Sequence, residues 1–129
     1  MIARLFALLA ALALWPAAAP AQDKSAARDE AAETLSAIVR VKAKILPNAR
    51  SSATLGPQRE GSGALVREGY VATIGYLVIE SEAIEVVGAD GRAVPAALAA
   101  YDHASGFGLL KLLAPLAGKP LALGDSSAL

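Results

Sequence analysis

The residue types that hydrolytic enzymes use lie together in one short segment, Asp102-His103-Ala104-Ser105. His103 is the single histidine of the chain. An imidazole is the usual general base at neutral pH, and it can activate a hydroxyl nucleophile. The segment matches no known setting of a nucleophilic serine, so we expect an exposed loop histidine, with Asp102 bracing the loop through backbone N–H groups. The alternative is that His103 acts as a displaced base.

Composition argues against several other chemistries. The absence of cysteine removes thiol nucleophiles and thiolate metal sites, and one histidine is too few for a histidine-based metal site. Twelve basic and 12 acidic side chains leave no net charge to attract nucleic acid or anionic lipid. Gly61-Ser62-Gly63 lacks the Lys-Ser/Thr of a phosphate-binding loop and opens a strand pattern. We therefore expect no cofactor, no metal and no nucleic-acid partner.

The first 21 residues predict export. Arg4 precedes an apolar run at residues 5 to 15, and Ala19-Pro20-Ala21 has the small-x-small pattern of a signal-peptidase site. Eleven apolar residues are fewer than the roughly 20 that span a bilayer, so a cleaved signal peptide is favoured over an anchor. Cleavage after Ala21 would release residues 22 to 129, without a membrane attachment, into a bacterial periplasm or the extracellular space.

The remaining chain is predicted to start as a helix and to continue as strands. Residues 22 to 37 are rich in Ala, Glu, Lys and Arg, which favour a helical leader. Residues 38 to 46 alternate apolar and charged side chains, which indicates a strand with one solvent-facing side. After a polar and flexible loop at residues 49 to 61, short apolar runs separated by turn residues predict further strands. We expect about six strands between Ile38 and Leu123.

Local signals refine this β fold. Asp90-Gly91 between two apolar runs predicts a β-hairpin, and Pro95 within a run predicts an edge or a bulge. Apolar residues continue up to Leu129, and this pattern predicts a barrel that is truncated. The side chains expected to point inward or to lie buried are Val39, Val41, Ala64, Val66, Val71, Val86, Leu109 and Leu110.

Four segments, taken in order, resemble a trypsin-like serine protease of the HtrA type. REGSGALVREGYVATIGYLV (59 to 78) resembles the family's Gly-Ser-Gly strand, Gly-Tyr turn and the Thr-x-x-His segment that bears the catalytic histidine. IEVVGADGRAVPAALAAYDHASGFGLLKL (84 to 112) is similar to its strand, Asp-Gly turn, strand and Asp-x-x-x-Asp segment with the catalytic aspartate. KPLALGDSSAL (119 to 129) resembles the stretch that leads to the second barrel. The resemblance covers about residues 38 to 129. It implies an all-β fold, the first six-stranded barrel of a chymotrypsin-like pair.

The family's catalytic positions carry other residues here. Aligning Thr73 with the family threonine puts Tyr76 at the histidine position, and aligning Asp102 with the first aspartate puts Gly106 at the catalytic aspartate position. The nucleophilic serine would lie beyond Leu129. A tyrosine hydroxyl, with an unperturbed pKa of about 10, is protonated at neutral pH, and a glycine cannot orient an imidazole. We therefore assign no catalytic residue.

We expect Tyr76 to fill the former active-site cleft, close to the loop at residues 102 to 106. The alternative is that its hydroxyl helps to bind a ligand there. The resemblance implies an exported serine protease homologue, and the replaced positions predict that it is inactive. Such a protein would bind peptide or unfolded protein segments, for example by strand pairing, and the family implies a homo-oligomer. The alternatives are a fragment of an active serine endopeptidase, with its nucleophile in a missing C-terminal half, and a remnant without function.

Overall fold

A computed structural model describes residues 21 to 128, with side chains from Lys24 onward. Apart from Ala21, the predicted signal peptide lies outside this range. Helix α1, Ala21–Ser36, coincides with the predicted leader, and its side chains from Lys24 to Leu35 are exposed. Alternating alanines and charged residues give α1 no apolar face to bury. Among residues 21 to 128, no helix combines the length and the apolar composition that crossing a membrane would take.

Six antiparallel strands form a closed barrel, which confirms the predicted all-β fold. The strands pair in the order β1-β2-β3-β6-β5-β4, and β4 returns to β1. Their bounds are β1 Ile38–Ile45, β2 Gln58–Arg67, β3 Tyr70–Ile74, β4 Ser81–Val87, β5 Ala93–Tyr101 and β6 Phe107–Leu112. A short helix α2, Ser52–Leu55, interrupts the loop before β2, and a 3-10 turn, Gly75–Leu77, follows β3. The six strands match the number expected between Ile38 and Leu123, but the last one ends at Leu112, and the described chain after it contains no further strand.

The barrel interior is filled by alternate residues of the strands. Strand β1 alternates exposed and buried positions along its whole length, as its sequence predicts. Five of the eight residues expected inside are buried: Val39, Val41, Val71, Val86 and Leu110. The other three, Ala64, Val66 and Leu109, are half-buried.

The errors in this core prediction follow from strand geometry. Near the end of β2 the buried side chain is that of Leu65, 2% exposed, and its neighbours Ala64 and Val66 face the other side of the sheet. Because successive side chains of a strand point to opposite faces, Leu109 and Leu110 cannot both point inward. The inward side of β2 also carries Gly63, where a Cβ would stand 2.7 Å from Val71 and 3.0 Å from Val41.

The β4–β5 hairpin is confirmed, whereas the assignment of Pro95 to an edge or a bulge is wrong. Gly91 has φ +80°, and the Asp90 carboxylate accepts a hydrogen bond from the Arg92 N–H at 3.0 Å. Pro95 pairs with Glu85 inside the closed barrel. Its carbonyl accepts the N–H of Leu113, one residue after β6 ends. Its own nitrogen faces the same side, beyond the last β5–β6 ladder pair Ala96↔Leu112, so its missing N–H removes no bond of that ladder.

The tail after β6 contacts both β2 and the end of α1. The N–H of Leu121 donates to the Leu65 carbonyl at 2.8 Å. The Lys119 ammonium lies 2.9 Å from a carboxylate oxygen of Glu33 on α1. Just before Lys119, Gly118 passes so close to α1 that a Cβ there would stand 2.6 Å from the Ser36 carbonyl oxygen.

Candidate functional site

The turn that carries Tyr76 is anchored by its neighbours. Strand β3 ends at Ile74, and the 3-10 turn then places Leu77 and Val78 in the core at 2% and 0% exposure. Tyr76 points away from the core and is 48% exposed. Tyr76 thus lies outside the barrel core, and its place in a former active-site cleft stays a prediction.

The buried side chain of Arg59 hydrogen-bonds to the backbone of this turn. Arg59 of β2 is only 6% exposed, and its guanidinium donates to the Tyr76 carbonyl at 2.6 Å. It also donates to the Ile79 carbonyl at 3.4 Å and to the Ser51 hydroxyl at 2.6 Å. The Arg59 side chain thus fixes the backbone that presents Tyr76.

The chain of hydrogen bonds from Arg59 ends on Glu80. Both the hydroxyl and the backbone N–H of Ser51 donate to one carboxylate oxygen of Glu80. These hydrogen bonds lower the pKa of the Glu80 carboxyl, and the bond from the Ser51 hydroxyl has the largest effect. Glu80 has φ +58°, an uncommon backbone conformation for a residue other than glycine. Its carbonyl accepts the N–H of Leu46 at 3.0 Å, which holds the residue in place.

Sequence reasoning missed this Arg59–Ser51–Glu80 network, since Ser51 and Arg59 lie in the segment interpreted as a flexible loop. The structure has helix α2 and the start of β2 there. One signal was available: Arg59 lies two residues before Gly61, on the side of β2 that also carries Gly63 and Leu65.

The turn and the loop at residues 102 to 106 adjoin, as expected. The Gly75 N–H donates to the Gly106 carbonyl at 2.7 Å. A Cβ on Gly75 would fall on the Tyr101 ring and stand 2.8 Å from the Gly106 carbonyl oxygen. Glycine at position 75 therefore permits the close approach of the two segments.

Gly106 has a backbone conformation that an aspartate would adopt only at a cost. Its φ of +76° lies in the left-handed region, which residues with a Cβ adopt at a cost. A Cβ built there meets nothing within 4 Å, so space does not prevent a larger residue. The loop backbone itself is shaped for glycine at this position.

The loop residues Asp102 and Ser105 hydrogen-bond to each other. The Asp102 carboxylate accepts the Ser105 hydroxyl, and it accepts the N–H groups of Ala104 and Ser105 at 3.1 and 3.2 Å. These hydrogen bonds lower the pKa of the Asp102 carboxyl, and the bond from the Ser105 hydroxyl has the largest effect. Asp102 braces the loop as expected, and the Ser105 proton is directed to a carboxylate.

His103 is exposed and packs its ring edge-on against Tyr101, with centroids 4.6 Å apart and planes at 62°. Over residues 21 to 128, no hydrogen bond joins His103 to a hydroxyl or to a carboxylate. The geometry thus favours an exposed loop histidine over a displaced base.

The Gly61-Ser62-Gly63 stretch lies in the middle of β2 and opens no helix. The Ser62 carbonyl accepts the buried Thr73 hydroxyl at 2.8 Å. A Cβ on Gly61 would fall on Leu77, so this glycine also serves close packing. In the part of the chain that the structure describes, no group of three His, Cys, Asp or Glu side chains could hold a metal ion.

Exposed apolar side chains surround the turn. Ile74 and Phe107 are cross-strand partners at the ends of β3 and β6, and they are 47% and 61% exposed. Together with Tyr76 they form an apolar patch at the end of the barrel where the turn meets the loop. Contiguous exposed apolar patches mark interaction sites and ligand-binding grooves in soluble proteins.

Comparison with solved structures places the barrel among trypsin-like folds. The chain is similar to the active form of the Rv3671c protease from M. tuberculosis, with 19% sequence identity and a TM-score of 0.61. The match covers 74% of this chain and 38% of that protease, so the chain spans less than half of its length. No protein-family model matches the chain, and a comparison with curated proteins finds no match.

Proposed function

We propose that this chain is a catalytically inactive, exported trypsin-like barrel of the HtrA type that binds peptide or protein segments. One observation carries the proposal. The turn and the loop that adjoin through the Gly75–Gly106 hydrogen bond bear a tyrosine and a glycine where the resemblance expects a histidine and an aspartate. In a Ser-His-Asp triad the histidine takes the serine proton, and the aspartate holds the imidazole in the required tautomer and orientation.

Nearby groups do not replace that pair. His103 packs against Tyr101, and Asp102 accepts hydrogen bonds from its own loop. The exposed patch of Ile74, Tyr76 and Phe107 instead supports a role in contacts with other molecules.

A second candidate is a fragment of an active endopeptidase. The observation that favours it is that the chain spans 38% of the protease it resembles. In that case the nucleophile and the oxyanion hole would come from a further barrel, and some other group would act as base.

One experiment separates the two candidates. The full-length protein is isolated from the exported fraction of its own host and treated with a biotinylated fluorophosphonate, with trypsin as the positive control. We expect no labelling above that of heat-denatured protein, and mass spectrometry should find Gln22 as the amino-terminal residue. A labelled serine would refute inactivity, and an intact residue 1 would refute export by cleavage.

A further inference from the structure

The guanidinium charge of Arg59 lies inside the barrel without a carboxylate in direct contact. Arg59 is 6% exposed, and none of the ion pairs among residues 24 to 128 includes it. Its hydrogen bonds go to two carbonyl groups and to the Ser51 hydroxyl, which are all neutral. A buried charge without a counter-charge is unfavourable, because the protein interior solvates ions poorly. A negative charge close to this network therefore stabilises it.

Glu80 supplies that negative charge through Ser51. The Ser51 hydroxyl accepts a hydrogen bond from Arg59 and donates its own to the Glu80 carboxylate. The Ser51 backbone N–H donates to the same carboxylate oxygen at 3.0 Å. Because a hydroxyl has a single hydrogen, the one that accepts from the guanidinium directs that hydrogen to the carboxylate. One hydroxyl thus connects the buried cation to the half-buried anion.

The charged groups that face or flank Glu80 belong to the surrounding strands and to the loop after β1. Arg50 in that loop is exposed, and the Arg59 guanidinium reaches the network from β2. On β4, Glu82 is already paired with Lys44 of β1 at 2.9 Å. Among these groups Arg59 is the one that is buried, so it is the group most affected when the charge of Glu80 is removed.

Protonation of Glu80 removes that charge, and it does so in acid. The hydrogen bonds from Ser51, with that of the hydroxyl the strongest, lower the pKa of the Glu80 carboxyl below the ordinary glutamate value of about 4.3. A carboxyl whose pKa is lower in the folded chain stabilises the fold above the ordinary pKa. This stabilisation is lost as the pH falls through the folded-state pKa. The loss is therefore expected below about pH 4.3.

We propose that Glu80 is an acid-sensitive switch: its protonation withdraws the counter-charge of Arg59 and releases the turn that carries Tyr76. Arg59 donates to the Tyr76 and Ile79 carbonyls, so a displaced guanidinium frees the turn at two points. Glu80 itself holds φ +58°, a conformation that relaxes once its side chain is no longer anchored. The switch would couple the apolar patch around Tyr76 to pH. It does not depend on the proposed binding function, because it concerns the turn alone.

Amide exchange of the full chain at about pH 6 and about pH 3.5, on either side of the expected transition, tests the switch. The N–H groups of Val78 and Ile79, which donate to the Gly75 carbonyl, report on the turn. The Leu65 N–H, which donates to the Ala37 carbonyl, is the reference outside the turn. With protection taken relative to the intrinsic rate at each pH, acid should lower that of the turn about three- to tenfold more than that of the reference. An equal change at all three N–H groups would overturn the proposal.

Glu80→Gln keeps an acceptor oxygen for Ser51 but removes the charge. Its turn should already be less protected than that of the parent at about pH 6, and acid should lower the protection little further. Asp125→Asn is the matched control. Its carboxyl also has a pKa lowered by hydrogen bonds, from Ser127, but it lies in the tail after β6. This variant should respond to acid as the parent does. A Glu80→Gln protein with the full acid response of the parent would refute the role of Glu80.

Ser51→Ala tests the connection itself, and it serves equally if Glu80→Gln does not fold. The substitution removes the hydroxyl between Arg59 and Glu80 and leaves the backbone N–H that also donates to the carboxylate. We expect the acid response of the turn to shrink, because the guanidinium no longer has a hydrogen-bonded path to the anion. An undiminished response in Ser51→Ala would show that Glu80 does not act on the turn through this hydroxyl, contrary to the proposal.

Discussion

At the residue scale, the candidate site is defined by backbone shape as much as by side chains. Tyr76 stands on a turn fixed by Arg59, and Gly106 adopts φ +76° in a loop closed by the Gly106 N–H to Asp102 carbonyl hydrogen bond of 2.8 Å. Exchanging these two residues for histidine and aspartate would therefore not rebuild an acid–base pair without moving the loop.

Substitution of Gly106 tests this interpretation. We expect Gly106→Ala to lower the free energy of unfolding by about 1–2 kcal/mol, because alanine in the left-handed region is strained and no contact compensates. Gly106→Asn should lose less, since asparagine tolerates this region. Urea denaturation of the three proteins measures the order. Equal stability of the alanine variant and the parent would show that the loop does not require this conformation.

At the element scale, the turn after β3 depends on a strand that is distant in sequence. Arg59 connects β2 to the turn through Tyr76 and Ile79, and to the loop after β1 through Ser51. Its Nε has no hydrogen-bond partner among the described residues, although the other guanidinium nitrogens are bonded. The buried Arg59 guanidinium stabilises the turn only when all three of its acceptors, the Tyr76 and Ile79 carbonyls and the Ser51 hydroxyl, are in place.

Removal of the Arg59 guanidinium should therefore loosen the turn. We expect Arg59→Met to lower the free energy of unfolding by about 2–4 kcal/mol, because several hydrogen bonds to a charged group are lost. Arg59→Lys should not restore it, since an ammonium cannot reach acceptors in separate directions. Arg67→Met, an exposed position on the same strand, should change stability by less than about 0.5 kcal/mol.

Urea denaturation and amide exchange at Val78 and Ile79 measure the effect of Arg59→Met. Faster exchange of these two N–H groups, which donate to the Gly75 carbonyl, would locate the loosening in the turn. Stability of Arg59→Met equal to that of Arg67→Met would refute the role assigned to the network.

At the scale of the whole molecule, the tail packs closely against both the end of α1 and the barrel at Gly118. Gly118 has φ +142°, and a Cβ there would stand 2.6 Å from the Ser36 carbonyl oxygen and 2.8 Å from Leu65. The Lys119–Glu33 pair beside it is exposed on both sides and contributes little by itself. Close backbone packing at Gly118 thus constrains the end of α1.

A methyl group at position 118 should force the tail and the end of α1 apart. We expect Gly118→Ala to lower the free energy of unfolding by about 1–3 kcal/mol, because backbone rather than a flexible side chain must move. It should also speed amide exchange at the end of α1. Gly124→Ala in the same tail is the control, since its Cβ meets nothing within 4 Å. Unchanged α1 exchange in Gly118→Ala would show that the tail does not hold the helix.

The sequence by itself determined the strands and their order along the chain. Alternation in β1, the Asp90-Gly91 turn and the short apolar runs are local patterns, and β-hairpin and strand signals of this kind need no distant partner. The resemblance also located Tyr76 and Gly106 on adjoining segments, which the Gly75–Gly106 hydrogen bond confirms.

Only the tertiary structure decided the face of β2 that turns inward, the burial of Arg59 and the end of the β4–β5 ladder at Ile84↔Ala96. Which face of a strand is buried depends on the register with its neighbours, and a shift of one residue exchanges core and solvent sides. The place where β4 and β5 part depends on how six strands tilt and stagger to close a barrel. Both are properties of pairings between residues far apart in the chain, so no local pattern encodes them.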